Sequence, residues 1–446
     1  MNKEQKKNRM TRRNFLLSAT GTAAAFTIVP RYVLGGPVKK PPSEKLNIAG
    51  IGVGNQGGRD IDSVGTENIV ALCDVDDKYA ANAYKRYPKA KKYYDFRRML
   101  EKEDKNIDAV VVATPDHTHA VASMMAIKMG KHIHCEKPLT RSVYEARKLT
   151  EAAREYNVIS QMGNDGHSGE GIRLICEWIW DGAIGPVREV HAWTDRPAEY
   201  WKQGVGRPQE TPPVPDTLKW DLWLGPSPQR PYHPIYAPFS WRGWWDFGTG
   251  ALGDMGCHII DPAFWALDLD SPESVRAVTT SVNEETYPRT SIVEYEFGSR
   301  GSMPPLKLTW YDGGLKPTRP PELEPKRRLG THGVIFVGDK GKLMCGVCAS
   351  SPRLIPEKKM QQYELPPKTI PRVKSHMQNW VQCCKTGKQA SSHFDYAGPL
   401  TEMVLLGNVA IRAGRKLYWD SKNMKCTNYL KANEYLHFEY TKGWSL

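Results

Sequence analysis

Three residues that lie far apart in the chain have side chains suited to removing a proton from a hydroxyl group. Lys137 lies in Cys135-Glu136-Lys137-Pro138, directly after an apolar stretch, and Asp254 and His258 lie four residues apart in a later helix-compatible stretch. An ammonium group lowers the pKa of a hydroxyl that it contacts, and an imidazole accepts the proton near neutral pH. Because side chains four residues apart share one face of a helix, Asp254 and His258 are predicted to reach a single substrate.

Each of these features also has a purely structural interpretation. Glu136 can form an ion pair with a neighbour while Lys137 is solvated, and Asp254 and His258 can cap a core helix. However, a charged pair at the end of a buried strand is costly unless it is paired or faces a ligand cleft. We therefore favour a ligand-facing role for Lys137. Asp254 could orient the substrate or tune Lys137 and His258 electrostatically, but for Asp254 and His258 the spacing alone leaves both interpretations open.

The stretch Leu46–Gly57 has the residue pattern of a strand, a tight turn and a helix. The apolar run Leu46–Ile51 leads directly into Gly52-x-Gly54-x-x-Gly57. Gly52 permits the turn, Gly54 lets the backbone approach a pyrophosphate, and Gly57 lets the helix pack closely on the strand. The helix N-terminus then offers unpaired N–H groups to the phosphates. The pattern alone also fits a flexible turn, but its context predicts a dinucleotide site.

A carboxylate after the next apolar stretch indicates which dinucleotide is bound. Ile69–Cys73 is followed by Asp74, which lies 22 residues after Gly52. A carboxylate at this distance accepts hydrogen bonds from the hydroxyls of the adenosine ribose. Because a negative charge there repels a ribose phosphate, the sequence predicts NAD and disfavours NADP.

The remaining candidate residues follow later predicted strands, where ligands bind in sheets of this kind. The histidines of Thr114-Pro115-Asp116-His117-Thr118-His119 suit a ligand contact but also fit plain turn and helix-start positions. The predicted cofactor contacts are Gly52, Gly54, Asn55, Gln56, Gly57, Asp74, Thr114, Pro115, His119, Glu136 and Lys137. The predicted substrate contacts are Asn164, His167 and Trp244. Tryptophans of segment 195–245 suit the apolar faces of sugars, with core packing as the alternative for each.

The hydrophobic patterns predict an α/β protein with two folded parts. Residues 46–161 alternate short apolar strands with helices, which predicts a Rossmann domain with a doubly wound parallel sheet. Residues 162–446 combine helices, one of them over about 251–267, with alternating stretches that predict an α+β domain with a mainly antiparallel open sheet. The last helices are expected to pack back on the first domain.

The net charge of +13 does not indicate a nucleic-acid partner, because much of it lies at the N-terminus. Residues 1–45 hold ten Lys or Arg and two Glu, so the folded body is only weakly basic. Thr11-Arg12-Arg13-Asn14-Phe15-Leu16-Leu17 resembles a twin-arginine export signal, which predicts a periplasmic or otherwise exported protein. A basic disordered tail is the alternative. The apolar run 16–29 is too short for a stable membrane span, and no later segment is long and apolar enough.

The cysteine and histidine spacings predict neither a disulfide framework nor a metal centre. Nine cysteines are an odd number, and Cys345-Gly-Val-Cys348 has redox-motif spacing but lies in a strand-like stretch. Most cysteines lie in apolar runs and are predicted to be buried small hydrophobic residues. His233, His258 and the nearby carboxylates lack a compact ligand spacing, so no catalytic metal is predicted.

Taken together at these separations, the motifs resemble the Gfo/Idh/MocA family, the relatives of glucose-fructose oxidoreductase and inositol dehydrogenase. The resemblance extends from Leu46 almost to the end of the chain. The stretches 163–168, Gly-Asn-Asp-Gly-His-Ser, and 223–226, Trp-Leu-Gly-Pro, further resemble exported members of the family. In this family the lysine of Glu-Lys-Pro lies beside the reacting hydroxyl, and later Asp and His residues complete the site. The resemblance implies these roles for Lys137, Asp254 and His258.

Three functions follow as expectations. The first is an NAD-dependent oxidoreductase that acts on a secondary hydroxyl of a sugar, polyol or glycoside, with a retained cofactor as one form of it. The second is an NAD-dependent glycoside hydrolase that oxidises, eliminates, adds water and reduces, since an exported enzyme has no soluble pool to recycle NADH. The third is a cofactor-containing binding protein without turnover. The expected partners are a small carbohydrate or polyol and, through the broad sheet, further copies of the chain.

Overall fold

Six parallel strands form the first sheet in the computed structural model of the chain, which describes residues 44–446. The strands are β1 (Asn47–Ile51), β2 (Asn68–Cys73), β3 (Lys91–Tyr93), β4 (Ala109–Val112), β5 (His132–Cys135) and β6 (Ser160–Met162), and their order across the sheet is β3-β2-β1-β4-β5-β6. The order reverses between β1 and β4, and ligands of doubly wound sheets bind beyond the carboxyl ends of the strands at such a point. The predicted Rossmann sheet is thereby confirmed.

Helices cover both faces of this sheet. They are α1 (Asn55–Ser63), α2 (Asp77–Arg86), α3 (Phe96–Glu103), α4 (Asp116–Lys128) and α5 (Val143–Glu155). The four residues of β4 are buried and alternate between two separate apolar clusters, as expected for a strand covered on both sides. The sequence pattern did not predict α3, because only Phe96, Met99 and Leu100 are apolar. Their spacing places them on one helix face, and all three are buried.

A nine-stranded sheet forms the centre of the second half of the chain. Its strands are β7 (Val187–Trp193), β8 (Ser274–Thr279), β9 (Ser291–Phe297), β10 (Leu306–Tyr311), β11 (Gly333–Gly338), β12 (Gly341–Cys345), β13 (Arg353–Ile355), β14 (Leu417–Asp420) and β15 (Lys425–Cys426), in the order β13-β12-β11-β7-β10-β9-β8-β14-β15. β7 and β10 pair in parallel, and the other neighbours are antiparallel. The predicted mainly antiparallel sheet is therefore confirmed, while self-association through it stays a prediction.

The helix predicted over residues 251–267 is two helices. The second half contains α6 (Glu170–Trp180), α7 (Trp220–Leu224), α8 (Gly250–Ile259), α9 (Asp261–Ala266), α10 (Glu357–Gln362), α11 (His376–Thr386) and α12 (Phe394–Ala413). Pro262 has no N–H to bond the carbonyl of His258, so α8 ends and α9 begins around Ile260. The apolar helix α12 packs against both α5 and α8, which joins the two halves.

The long segment before α8 builds an apolar cluster of its own. Its buried members are Leu218, Trp220, Trp223, Leu224, Tyr236, Ala237, Trp241, Trp244 and Phe247. The rings of Trp220 and Trp223 are stacked with their centroids 4.7 Å apart. Offset aromatic packing of this kind orders a segment that has little regular secondary structure.

Two further expectations concern the membrane and the cysteines. Within residues 44–446, every helix is too short or too polar to cross a membrane. All nine cysteines belong to this range, and each is unpaired. The predicted twin-arginine signal at Arg12 and Arg13 lies outside the described residues.

Candidate active site

A cavity of about 410 Å³ lies at the carboxyl edge of the parallel sheet. The ends of β1, β2, β4 and β5 and the first turn of α1 line one side, while α8 and residues 218–242 line the other. The structure brings together at this cavity the predicted residues Gly52, Gly54, Asn55, Gln56, Asp74, Thr114, Pro115, His119, Glu136, Lys137, Asp254 and His258. Gly57, Asn164, His167 and Trp244 are not among its lining residues.

The glycine loop has the backbone conformation and close contacts that only glycine permits. Gly52 has a φ of +74°, and a Cβ there would approach the carbonyl oxygen of Ala113 to 2.8 Å. A Cβ at Gly57 would overlap the carbonyl oxygen of Gly52, so Gly57 serves the packing of α1 on the loop. Gly54 is the N-cap of α1, and no side chain caps this helix. The first N–H groups of α1 are thus open to an anionic ligand, which fits the phosphates of a dinucleotide.

Asp74, at the end of β2, accepts hydrogen bonds from the backbone of the glycine loop. One carboxylate oxygen accepts the backbone N–H groups of Val53 (2.8 Å) and Gly54 (3.1 Å), and the other accepts that of Asp76 (3.0 Å). Burial raises the pKa of Asp74 to about 6, since these hydrogen bonds offset only part of the desolvation. The carboxyl group is therefore still mainly ionised at pH 7, and it places negative charge at the end of β2.

His119 joins the two loops that follow β4 and β5. Its Nδ1 lies 2.9 Å from the carbonyl oxygen of Pro138, and its Nε2 lies 2.8 Å from that of Thr114. Because a carbonyl oxygen can only accept, this geometry is satisfied by an imidazolium that donates from both nitrogens. Burial opposes the charge, but Cys135 and Asp116 outweigh it and raise the pKa of His119 to about 10. His119 thus positions the loop that carries Lys137 and leaves no ring nitrogen for a ligand.

Lys137 and Asp254 form an ion pair in the cavity lining. The Lys137 ammonium donates to the backbone carbonyl of Asp254 at 2.7 Å and to its Oδ1 at 3.1 Å. Nε of Arg242 donates to the same Oδ1 at 3.1 Å. Burial would raise the pKa of Asp254, but the two cations outweigh burial and hold it well below its usual range. Since an ammonium has three N–H donors, Lys137 retains one for a ligand.

His258 is a neutral base one helical turn from Asp254. Burial and the nearby Lys137 ammonium lower the pKa of His258 to about 3, although Asp254 acts in the opposite direction. Its Nδ1 is buried and has no hydrogen-bond partner among the described residues. An unpaired buried nitrogen beside a cavity is costly unless a ligand completes it. His258 as a residue also lines the cavity, which places its neutral ring beside whatever occupies it.

Two further carboxyl groups line the same cavity. Glu136 accepts the backbone N–H of Lys137 at 3.1 Å, and burial raises the pKa of Glu136 to about 7. Burial also raises the pKa of Asp165, against the attraction of Lys137. Asp165 was not singled out from the sequence, although it lies between two predicted substrate contacts.

Asn164 and His167 belong to a buried polar cluster and are not lining residues of the cavity, and their predicted contact with substrate stays a prediction. The Asp261 carboxylate accepts from Asn164 Nδ2 (3.0 Å), His167 Nδ1 (3.1 Å) and the Tyr396 hydroxyl (2.5 Å). The His167 ring also stacks on Trp265, with centroids 4.4 Å apart. Because the Asp261 carboxylate bonds three side chains and Asn164, His167 and Asp261 are buried, the cluster holds β6, α9 and α12 together.

Trp244 is part of the aromatic cluster and does not line the cavity. It is completely buried, and its ring packs edge-on against Tyr236 with centroids 4.6 Å apart. Phe239 and Trp241 line the cavity instead, and the Arg242 guanidinium lies 4.3 and 4.2 Å from their ring centroids. The sequence shows that this segment is rich in tryptophan. It does not show which rings face the core and which face the cavity, because an irregular loop has no periodic pattern.

Two sequence profiles of one family match the chain, and together they cover about half of it. Residues 46–164 match the NAD-binding Rossmann fold of the Gfo/Idh/MocA oxidoreductase family, and residues 191–298 match the C-terminal alpha/beta domain of that family. A levoglucosan dehydrogenase from Pseudarthrobacter phenanthrenivorans is 27% identical over 193 residues, 43% of this chain and 40% of that protein. A 2,7-anhydro-N-acetylneuraminate hydratase from Mediterraneibacter gnavus is 30% identical over 114 residues, 24% of this chain and 30% of that protein.

A solved structure shares the fold over most of the chain. The WlbA dehydrogenase from Bordetella pertussis, in complex with NADH and UDP-GlcNAcA, superposes with a TM-score of 0.58 at 17% identity. The superposition covers 84% of this chain and 99% of the WlbA chain. The sequence matches to the two curated relatives named above span less than half of the length of each relative. With both domains matched in order and the predicted motifs gathered at one cavity, the chain belongs to the Gfo/Idh/MocA oxidoreductase family.

Proposed function

We propose that the protein is an NAD-dependent oxidoreductase that acts on a secondary hydroxyl of a sugar, polyol or glycoside. The observation that carries this proposal is the convergence of Lys137, Asp254 and His258 on the cavity that the glycine loop also lines. A cation, a carboxylate that fixes it and a neutral imidazole form a complete set for deprotonating an alcohol.

The protein groups have separate tasks in this reaction. Asp254 uses two of its oxygens to fix the Lys137 ammonium, whose remaining N–H donates to the substrate hydroxyl and stabilises the developing alkoxide. His258 accepts the hydroxyl proton, because its lowered pKa keeps the ring unprotonated. A bound nicotinamide supplies the acceptor for the hydride that leaves the same carbon. The products are then a carbonyl group, an imidazolium and a reduced cofactor.

The lining of the cavity supports a carbohydrate or polyol as substrate. Phe239 and Trp241 present apolar ring surface, whereas Lys137, Arg242 and Asp165 present donors and acceptors nearby. Sugars carry hydroxyls on their rims and apolar C–H faces, so they match a cavity of this mixed character.

NAD is the proposed cofactor. The ionised Asp74 and its neighbour Asp76 both line the cavity at the end of β2. Two carboxylates there repel the phosphate that distinguishes NADP, while a carboxylate can accept further hydrogen bonds from ribose hydroxyls.

Mass spectrometry of the purified folded protein tests the cofactor, and a sugar and polyol screen followed by absorbance of reduced nicotinamide tests the reaction. We expect NAD and its reduction by at least one carbohydrate. Lys137→Met should retain the cofactor and lose its reduction. Carbohydrate turnover that is equally fast in Lys137→Met would contradict the assignment.

A second candidate is redox-neutral cleavage of a glycoside with a retained cofactor. It is supported by the similarity to a protein named as a hydratase, because addition of water to an unsaturated sugar is one step of that sequence. Glycoside cleavage without net NADH, together with entry of solvent deuterium at the carbon beside the oxidised one, selects this candidate. Stoichiometric NADH selects the simple dehydrogenase.

Export through the twin-arginine route is part of the proposal and rests on the N-terminal sequence. Replacing Arg12 and Arg13 together by lysine keeps the charge but removes the pair that the receptor recognises. We expect the double variant to stay in the cytoplasm, whereas equal export of both proteins would exclude this route.

A further inference from the structure

A second polar cluster lies directly behind the cavity, inside the parallel sheet. It consists of Asp60 from α1, His134 from β5 and Glu136, and one polar atom of each lies within 4.8 Å of the others. All three side chains are buried. Glu136 also lines the cavity, so this cluster, which we call the Asp60 cluster, contacts the proposed active site through that residue.

The hydrogen-bond pattern around His134 fixes which of its nitrogens carries the proton. Gln161 Nε2 donates to the backbone carbonyl of His376 at 3.2 Å, which orients the amide because a carbonyl oxygen can only accept. The Gln161 Oε1 therefore faces His134 Nδ1 at 3.2 Å, and Nδ1 must be the donor. Burial and His376 lower the pKa of His134 to about 3, so the ring is neutral. Its Nε2 is thus a lone pair, and it is buried without a partner.

When they are ionised, the carboxyl groups of Asp60 and Glu136 can only accept hydrogen bonds. Asp60 Oδ1 accepts from Gln56 Nε2 at 2.9 Å, while Asp60 Oδ2 is buried with no partner among the described residues. Glu136 accepts one backbone N–H, that of Lys137. Two buried carboxylates and an imidazole lone pair would then face one another with no donor between them, which is strongly unfavourable. One proton on a carboxyl group removes the conflict, since the O–H can donate to a neighbouring acceptor.

Asp60 is the member best placed to keep this proton. Its surroundings supply one cationic neighbour, Arg59 of the same helix, against the carboxyl groups of Glu136 and Asp165. Glu136 instead has Lys137 and His119 nearby, both cationic, as well as Asp165. Burial together with Glu136 and Asp165 raises the pKa of Asp60 to about 9, compared with about 7 for Glu136.

We propose that Asp60 is a positioning residue that carries a proton in the working enzyme and thereby limits the negative charge behind Lys137. This inference rests on the oxidoreductase function proposed above. With Asp60 protonated, the carboxyl groups that interact with Lys137 are those of Glu136, Asp165, Asp116 and its partner Asp254. Loss of the proton adds one more buried anion, which holds the Lys137 ammonium more tightly and weakens its donation to the substrate hydroxyl.

The pH profile of kcat tests this role, with Asp60→Asn as the variant that keeps a donor but cannot release a proton. The wild type should lose activity as the pH rises past about 9, the pKa of Asp60. Asp60→Asn should lack this limb, with activity at pH 7 within about tenfold of wild type because the amide retains a hydrogen-bond donor. Superimposable profiles would overturn the proposal.

Infrared spectroscopy separates failure of this inference from failure of the proposed function, because it needs no turnover. The holoenzyme should show the carbonyl band of a protonated carboxyl group at about pH 8 that disappears above about pH 9, and Asp60→Asn should lack it. Asp312→Asn is the matched control, since burial raises the pKa of Asp312 only to about 6 and its removal should leave that band in place. A band equally strong in Asp60→Asn would overturn the assignment.

Two further measurements keep the proposal testable if Asp60→Asn fails to fold. Gln56→Met removes the hydrogen bond that stabilises the ionised form of Asp60, so disappearance of the band should shift to higher pH. No shift, or a shift to lower pH, would count against it. Elemental analysis of the holoenzyme should find no stoichiometric divalent metal, because a metal bound by the same three side chains would take the place of the proton and overturn the proposal.

Discussion

Two polar clusters, one built on α8 and the other on Asp261 of α9, each contain an aspartate and a histidine but differ in their hydrogen bonds. The first, which we call the catalytic cluster for its proposed role, consists of Lys137, Asp254 and His258, and the sealed cluster consists of Asn164, His167, Asp261 and Tyr396. In the sealed cluster one carboxylate accepts from three side chains, and the histidine ring is stacked on a tryptophan. In the catalytic cluster the histidine Nδ1 has no partner among the described residues. The two clusters therefore differ in the partners of the histidine Nδ1, and we expect this difference to separate a proposed reactive site from a structural one.

Removing the Lys137 ammonium should have the largest effect on catalysis. We expect Lys137→Met to lower kcat by about a thousandfold, because the donor that stabilises the alkoxide is lost. Cofactor retention and the melting temperature should change little. Lys148→Met is the matched control, since Lys148 is a half-buried lysine of α5 that is paired with Glu151 and lies outside the cavity lining. Its kcat should equal that of the wild type, and a similar loss in both variants would remove the distinction between the clusters.

Equivalent substitutions of the two histidines should separate the clusters further. His258→Asn should lower kcat by about a hundredfold through loss of the base while the protein stays folded. His167→Asn should instead lower the free energy of unfolding by about 2 kcal/mol, because it removes a buried hydrogen bond and an aromatic contact. Steady-state kinetics and chemical denaturation of both variants measure this. The same outcome for both histidines, whether catalytic or structural, would contradict the account.

The two aspartates of α8 and α9 offer the same contrast with a smaller expected effect. Asp261→Asn should destabilise the protein by about 2 kcal/mol, since the buried carboxylate accepts hydrogen bonds from three side chains. Asp254→Asn should cost less stability, because its partners Lys137 and Arg242 line the cavity and can meet water. Thermal unfolding should rank the variants in this order, and the reverse ranking would show that the catalytic cluster is the structural one.

The pH dependence of His258 gives the most subtle prediction. Its pKa is lowered to about 3, so the base form is already complete above about pH 5. The ratio of wild-type to His258→Asn activity should therefore be constant between about pH 5 and pH 8. A histidine with an ordinary pKa would lose its base form on acidification, and the ratio would fall below about pH 6.5. Such a fall would show that His258 is more solvated than the structure indicates.

Local motifs made the cofactor side of the cavity predictable from the sequence. The glycine loop, Asp74, Thr114-Pro115 and Lys137 each follow a strand, and the carboxyl ends of parallel strands meet at one edge. Asp254 and His258 were predictable because helical spacing of i and i+4 places both on one face. What these residues bond to was not predictable, as His119 shows: its two carbonyl partners come from loops that only the folded sheet brings together.

The substrate side depends on contacts that the sequence does not encode locally. Asn164 and His167 follow the last strand of the parallel sheet. Both are buried and donate hydrogen bonds to Asp261, which lies 94 residues after His167. Arg242 was not predicted, because it lies in an irregular segment with no helical or strand periodicity. Its hydrogen bond to the Asp254 carboxylate, which Lys137 also contacts, depends on the fold. Trp244 was predicted to contact substrate; it is fully buried in the aromatic cluster, whereas Trp241, another member of that cluster, lines the cavity.

A single turnover with deuterated carbohydrates tests directly whether a hydride passes from carbohydrate carbon to the nicotinamide. The holoenzyme is mixed with a panel of sugars and polyols that carry deuterium on carbon, and the cofactor is then analysed by mass spectrometry. The account predicts one deuterium in the nicotinamide of the wild-type protein and none in that of Lys137→Met, with the dinucleotide retained by both. Conversion of a carbohydrate by the wild type with no deuterium in the cofactor would contradict it.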